Sequence, residues 1–300
     1  VEYSTVNDIT QATSDGVTLN SDGSYEFTVP RNQNFNGTYY IWVEDNVGNV
    51  YGITSSGITV DMVAPTIDNL VATPDVWTNG TVVISGSASD ASDANYNTSI
   101  KEVKYATEDD YSKATSAGVT LNDDGTFSFT IANNAEFNGY YYVWAVDEYG
   151  NESASSRITV LIDTTEPTAK IEIRNKSWTS LLEALTFGLF SNTQLNVSIE
   201  AYDASSPIAN SGVAKIEYYK VNEGAENRLT RDALKALDES NWTIGSSLTV
   251  SSDEVFVVYV RVTDNAGNID YFCSDGAILD TVKAGITLTP SAPAADNGNA

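Results

Sequence analysis

The sequence has no histidine, and only one cysteine and one methionine in 300 residues. Without imidazole, mechanisms built on a histidine base and metal sites built on histidine ligands are excluded. A lone Cys273 excludes an internal disulfide, a thiolate zinc centre and a cysteine–histidine dyad. Cations are scarce: 15 Lys and Arg stand against 41 Asp and Glu, for a net charge of -26. Nucleic acids and anionic membranes need a basic face, so neither is an expected partner. No apolar run approaches the roughly 18–20 residues of a membrane-spanning helix. What is abundant is Thr, Ser, Asn, Gly and Tyr, a composition of strands and turns.

The chain repeats itself. Val1 onward reads VEYSTVNDITQATSDGVTLNSDGSYEFTV, and Val103 onward reads VKYATEDDYSKATSAGVTLNDDGTFSFTI. The two align without a gap at an offset of 102 residues, which also takes Asp45 to Asp147 and Asp61 to Asp163. A third, diverged copy follows at 117, taking Asn151 to Asn268 and Asp163 to Asp280. A unit of this size is one immunoglobulin-like sandwich. The expected domains are 1–62, 63–163 and 164–283, with a linker tail at 284–300. The junctions Asp61–Pro65 and Asp163–Pro167 carry a proline that stops pairing and stiffens the linker. By this phase Val1 matches a position well inside the second unit. Unit one is therefore expected to hold only the later strands of a sandwich, as a segment of a longer array.

Alternation and turn signals place seven strands in unit two. They are Thr66–Val71, Thr81–Ser89, Val103–Ala106, Gly118–Leu121, Thr126–Ile131, Tyr140–Asp147 and Ser155–Ile162. Tyr141, Val143 and Ala145 share the core face, as do Val258, Val260 and Val262 in unit three. Asn138-Gly139 reads as a turn resembling the tyrosine corner of immunoglobulin domains. Unit three departs twice. Leu181–Phe190 reads as a short apolar helix over one sandwich end. Thr230–Glu239 reads as a helix with a threonine N-cap, crossing between the sheets and anchored by Trp242. The expected fold is all-β: tandem immunoglobulin-like β-sandwiches end to end, with short helical insertions in the third.

One motif recurs three times: Asp45-Asn46-Val47-Gly48-Asn49, Asp147-Glu148-Tyr149-Gly150-Asn151 and Asp264-Asn265-Ala266-Gly267-Asn268. Each is followed by a further aspartate, Asp61, Asp163 or Asp280. This pattern resembles the bacterial Ig-like repeats of large cell-surface adhesins and secreted multimodular proteins. The resemblance implies an extracellular, non-catalytic stalk or spacer whose partners are further repeats of the same chain and an unknown protein or glycan ligand. The alternative it leaves open is an accessory, glycan-contacting module of a secreted carbohydrate-active enzyme. Unit two departs from the pattern at Glu148 and Tyr149, and Asp280–Ala284 lacks the proline.

The aspartate of the motif has a plain turn-forming role, accepting from backbone N–H groups while glycine supplies positive φ. A second role is metal binding. Sandwich topology brings Asp61, Asp90 and Asp147 to one junction, and Asp163, Asp203 and Asp264 to the next. Carboxylates so placed repel, and a hard cation relieves that repulsion through oxygen ligands. Ca²⁺ at both junctions is the expectation, in line with the calcium held at junctions by the repeats that the chain resembles. Separately, Tyr40, Trp42, Tyr142 and Trp144 lie on the outer face of the sixth strand, where paired rings can stack on a glycan. Against this, Lys104 is placed to cover Trp144, and Arg261 replaces the tryptophan in unit three. No loop pairs a distinct acid with a distinct base, so the chain is read as non-catalytic.

Overall fold

The computed structural model describes residues 1–29, 34–90, 99–175, 189–203, 208–223, 228–282 and 285. They divide into two compact units. The first runs to Thr164 and the second starts at Thr165, with Ile208 and Ala209 counted in the first. Repeats one and two fall in a single unit.

Repeat two is a complete sandwich. Its strands are β8 (Thr66–Thr73), β9 (Val82–Ser89), β10 (Ile100–Ala106), β11 (Thr120–Leu121), β12 (Thr126–Ile131), β13 (Phe137–Asp147) and β14 (Ser156–Ile162), following the seven strands β1–β7 of repeat one. They form one sheet ordered β11-β12-β9-β8 and another ordered β10-β13-β14. This is the ABED and CFG pairing of a constant-type immunoglobulin domain. The alternating positions Val82, Ile84, Phe127, Phe129, Val143, Ala145, Val160 and Ile162 meet between the sheets. Turns are set by local chemistry. Gly125, at φ +82°, closes the β11–β12 hairpin, and its N–H donates to Asn122 at 2.9 Å. Asn138 and Gly139 do not form a turn: both lie inside β13, paired with Leu161 and Val160. The alternation simply continues through them, so the tyrosine-corner reading is corrected.

Repeat one contains β1 (Glu2–Ser4), β2 (Thr18–Leu19), β3 (Tyr25–Glu26), β4 (Phe35–Gly37), β5 (Tyr40–Glu44), β6 (Val50–Thr54) and β7 (Ile58–Val60). They make a β1-β5-β6 sheet and the pairs β2-β3 and β4-β7. Among the described residues of 1–62, none pairs as a counterpart of the β8–β9 hairpin. Tyr25, Phe27 and Val29 are therefore half-buried, whereas their phase partners Phe127, Phe129 and Ile131 are buried. Ile41 and Tyr39 are nonetheless buried. Tyr3 stacks on Phe27 at 4.1 Å, and Phe35 packs against Tyr39 at 5.0 Å. Repeat two holds the same ring cluster, with Tyr105 on Phe129 at 4.1 Å.

The second unit has β15 (Thr168–Asn175), β16 (Leu189–Ser191), β17 (Leu195–Tyr202), β18 (Val213–Val221), β19 (Thr243–Ile244), β20 (Ser247–Val250), β21 (Glu254–Asp264), β22 (Ile269–Cys273) and β23 (Ala277–Leu279). Its sheets are β15-β17-β20 and β16-β23-β21-β18-β19, with β22 also on β21. Val258, Val260 and Val262 are fully buried between them, as the periodicity predicts. Of the apolar insertion Leu181–Phe190, residues 181–188 lie outside the described residues. Leu189 and Phe190 are strand, not helix, and pair in parallel with β23. Gly285 apart, the tail from Ala284 onward also lies outside the described residues.

Helix α1 (Arg231–Lys235) forms where the cap predicts it, with the Thr230 hydroxyl accepting from the Ala233 N–H at 3.2 Å. It does not pass between the sheets. Leu234 and Trp242 pack with Val257 and Tyr259, on the side of β21 opposite Val258 and Val260. An apolar stripe on the helix specifies that one face is covered, and β21 supplies a second apolar face outside the sandwich. Cys273 is half-buried, its thiol donating to the Ser274 carbonyl at 3.2 Å. Burial raises its pKa above the ordinary thiol value.

Each repeat has a serine-centred bulge where the sixth and seventh strands part. The Ser55 hydroxyl accepts from the Tyr39 N–H at 2.9 Å, and that of Ser274 accepts from Val258 at 3.0 Å. These two positions are in phase. In repeat two the bulge has moved to Ser153, which accepts from the Ala145 N–H at 2.9 Å. Register shifts with it: Thr54 faces Tyr40, but Arg157 faces Tyr142. A slip of one residue exchanges the two faces of a strand.

Candidate metal centre

Three segments converge at one end of repeat two. Asp61 follows β7, Asp90 follows β9 and Asp147 ends β13. One carboxylate oxygen from each lies within 4.8 Å of the others. All three side chains are buried, Asp147 completely so. The sequence placed these residues together, and the strand order does so because β9 and β13 end at the same sandwich edge.

Each carboxylate is oriented by its own loop. Asp61 accepts from the Val63 N–H at 2.9 Å. Asp147 accepts from the Asn151 N–H at 2.8 Å and from its side-chain amide at 2.7 Å. That amide also donates to the Asp61 carbonyl at 3.1 Å, joining the two segments directly. Asn151 recurs in the motif as Asn49 and Asn268.

Asp45 makes the same turn bonds, from the Val47 and Asn49 N–H groups at 2.9 Å and the Asn49 amide at 2.7 Å, and is exposed. The turn accounts for how each motif aspartate is held. It does not account for three carboxylates gathered out of water. At that separation each pair repels by roughly 3 kcal/mol at an effective dielectric of 20. Carboxylates at this spacing, with the Asp61 carbonyl region beside them, form an oxygen donor set suited to a hard cation such as Ca²⁺.

In the second unit Asp203 and Asp264 likewise lie with carboxylate oxygens within 4.8 Å. Asp264 accepts from the Asn268 N–H and side-chain amide, both at 2.8 Å. Asp203 accepts from the Gly212 N–H and from the Ser211 hydroxyl at 3.3 Å. That 211–212 loop is a partner sequence reasoning missed. Asp163, the third residue of the predicted set, belongs to the first unit, where it is fully buried and its N–H donates to the Thr78 carbonyl at 3.0 Å.

The aromatic expectation divides. Trp144 is 5% exposed, so it offers no surface and its assignment as a glycan contact is corrected. Tyr111 meets its ring edge-on at 6.0 Å, and Lys104, paired with Trp144 across β10 and β13, bonds the Tyr111 hydroxyl at 3.2 Å. Tyr142, Tyr40 and Trp42 are half-buried. In the second unit Arg261 takes the tryptophan position. It bonds Glu217 at 2.8 Å and forks onto Glu239, with its guanidinium 4.8 Å from the Trp242 ring. These carboxylates hold the already high arginine pKa higher still.

No family model matches the sequence, and no curated protein matches it. Solved structures do match. One is a tetra-tandem repeat in the extending region of a large adhesion protein, 15% identical, with a TM-score of 0.30. It covers 88% of this chain, which spans 62% of that structure, less than two thirds of its length. Another is the fibronectin(III)-like modules of Clostridium thermocellum CbhA, 14% identical over 75% of this chain and 100% of that one, TM-score 0.28. A third is the Yersinia pseudotuberculosis adhesin InvE, 13% identical over 72% and 58%, TM-score 0.24. The assignment of the chain as immunoglobulin-like sandwiches rests on the strand registers described above.

Proposed function

We propose that this chain is a non-catalytic stalk or spacer of an extracellular bacterial surface protein, stiffened by calcium between repeats one and two. The observation that carries the reading is the convergence of Asp61, Asp90 and Asp147, buried and within 4.8 Å, from three separate segments. A cation there joins the segment leaving repeat one to two strand ends of repeat two. It restricts bending at Met62–Pro65 without entering either core. Asp203 and Asp264 are read the same way for the second unit. Further immunoglobulin-like repeats are the expected neighbours in the parent protein.

Limited proteolysis of the full chain tests the stiffening. Chelation with EGTA should speed cleavage within Asp61–Pro65 severalfold while leaving the repeat-two core protected. Cleavage at equal rates with and without calcium would refute it. The second reading, an accessory module of a secreted carbohydrate-active enzyme, is favoured by one observation only, the aromatic pair on repeat one.

A further inference from the structure

The outer face of repeat one carries an aromatic shelf whose counterpart tryptophan in repeat two is covered by that repeat's own Tyr111. Tyr40 and Trp42 lie side by side, with ring centroids 6.2 Å apart and planes 26° from parallel. Both are half-buried. Trp42 pairs with Gly52, and a Cβ built on that glycine would meet the indole at 3.0 Å. The missing side chain is what lets the indole lie down on the sheet. Tyr40, Trp42, Gly52, Thr54 and Asn7 line an open groove of about 500 Å³.

Repeat two has the same two rings, Tyr142 and Trp144, and covers the tryptophan: Tyr111 meets Trp144 edge-on and Lys104 locks Tyr111, leaving Trp144 5% exposed. The Arg157 guanidinium lies 4.6 Å from the neighbouring Tyr140 ring. The phase partners in repeat one are Ile9 for Tyr111, Glu2 for Lys104 and Ser55 for Arg157. Ile9 is 39% exposed, and the register places Thr54 opposite Tyr40 where repeat two places Arg157 opposite Tyr142. The substitutions at positions 2 and 9 thus uncover in Trp42 a ring that repeat two buries as Trp144.

We propose that this shelf is a saccharide-binding site for a neutral β-1,4-linked glucan chain. The chemistry selects the ligand. Aromatic faces carry negative potential and attract polarised C–H groups, and an all-equatorial pyranose presents a flat C–H face. Two near-parallel rings in a row suit a flat, ribbon-like oligosaccharide, while an α-linked chain curves away from them. Asn7 and Thr54 stand at the rim with neutral polar groups that suit hydroxyls. Glu2, paired with Trp42, and the net charge of -26 disfavour acidic sugars.

The test titrates the full chain with cellohexaose, and with maltohexaose as control, following tryptophan fluorescence and calorimetry to about 10 mM. The expected result is cellohexaose binding that Trp42→Ala weakens at least about tenfold and Trp144→Phe leaves unchanged. Glu2→Lys with Ile9→Tyr, which installs the cover of repeat two, should abolish binding with both rings intact. Circular dichroism confirms that each variant folds. No cellohexaose binding, equal binding of both sugars, or unchanged binding by the covered variant would each overturn the proposal.

Discussion

The side-chain amide of Asn151 donates to the backbone carbonyl of Asp61 at 3.1 Å while also donating to the Asp147 carboxylate at 2.7 Å. One amide group therefore holds the segment leaving repeat one against a turn of repeat two. In repeat one the Asn49 amide donates to the Asp45 carboxylate at 2.7 Å.

Asn151→Ala should cost more than Asn49→Ala. The first leaves a buried carboxylate oxygen without its amide donor, at about 1–3 kcal/mol. The second leaves an exposed oxygen that water can reach, and should cost a few tenths of a kcal/mol to about 1. Urea denaturation of both variants in metal-free buffer compares them.

Arg261 and Lys215 both meet the buried Glu217 carboxylate, at 2.8 and 3.1 Å. Arg261→Ala leaves Glu217, whose side chain is 5% exposed, with Lys215 as its remaining cation. A cost of about 3 kcal/mol to the second unit is expected, the low end for breaking a buried pair. Combining Arg261→Met with Glu217→Gln should recover much of it, since replacing both members removes the under-compensated charge. Denaturation of the second unit, followed by Trp242 fluorescence, reads the difference.

The same cluster gives a pH dependence. The Arg261 hydrogen bond holds the Glu239 carboxyl below its ordinary value. A depressed folded-state pKa means stability present above the unfolded pKa and lost as pH falls through the folded one. Stability should therefore decline on acidification from about pH 5 downward. Glu239→Gln should flatten part of that decline, which a thermal melt at stepped pH would show.

Gly125 and Gly118 both have positive φ, at +82° and +74°, but different surroundings. A Cβ on Gly125 would sit 2.2 Å from the Ala88 carbonyl oxygen, whereas one on Gly118 meets nothing within 4 Å. Gly118→Ala should cost roughly 1–2 kcal/mol of backbone strain alone. Gly125→Ala must also move β9 or the turn, and should cost clearly more, above about 3 kcal/mol. Thermal unfolding of the two variants separates strain from collision.

Much of repeat two was legible in the sequence. The Thr126–Ile131 strand has the predicted ends, because alternation starts right after a glycine turn and stops at polar Asn133 and Asn134. The aspartate trio was legible because it depends on which strand ends share an edge, and repeat phase plus sandwich topology determine that. Three features were not. The cover over Trp144 comes from Tyr111, some thirty residues away on a short helical turn, and no local pattern announces such a contact. The bulge at Ser153 rather than in phase with Ser55 was hidden among many serines of equal propensity. The stripe of Leu234 and Leu237 indicates a covered helix face but not which side of the sheet covers it.

Calcium titration by calorimetry of the wild-type chain and Asp90→Asn bears most directly on the central claim. Asp90 supplies a carboxylate to the cluster from outside the Asp147 turn, so its substitution leaves that turn intact. Extracellular calcium-binding modules in general bind at about 10⁻⁴ to 10⁻³ M, so titration to several millimolar suffices. Wild type should take up one calcium more than Asp90→Asn, while Asp45→Asn should match wild type. Equal uptake by wild type and Asp90→Asn would contradict the account.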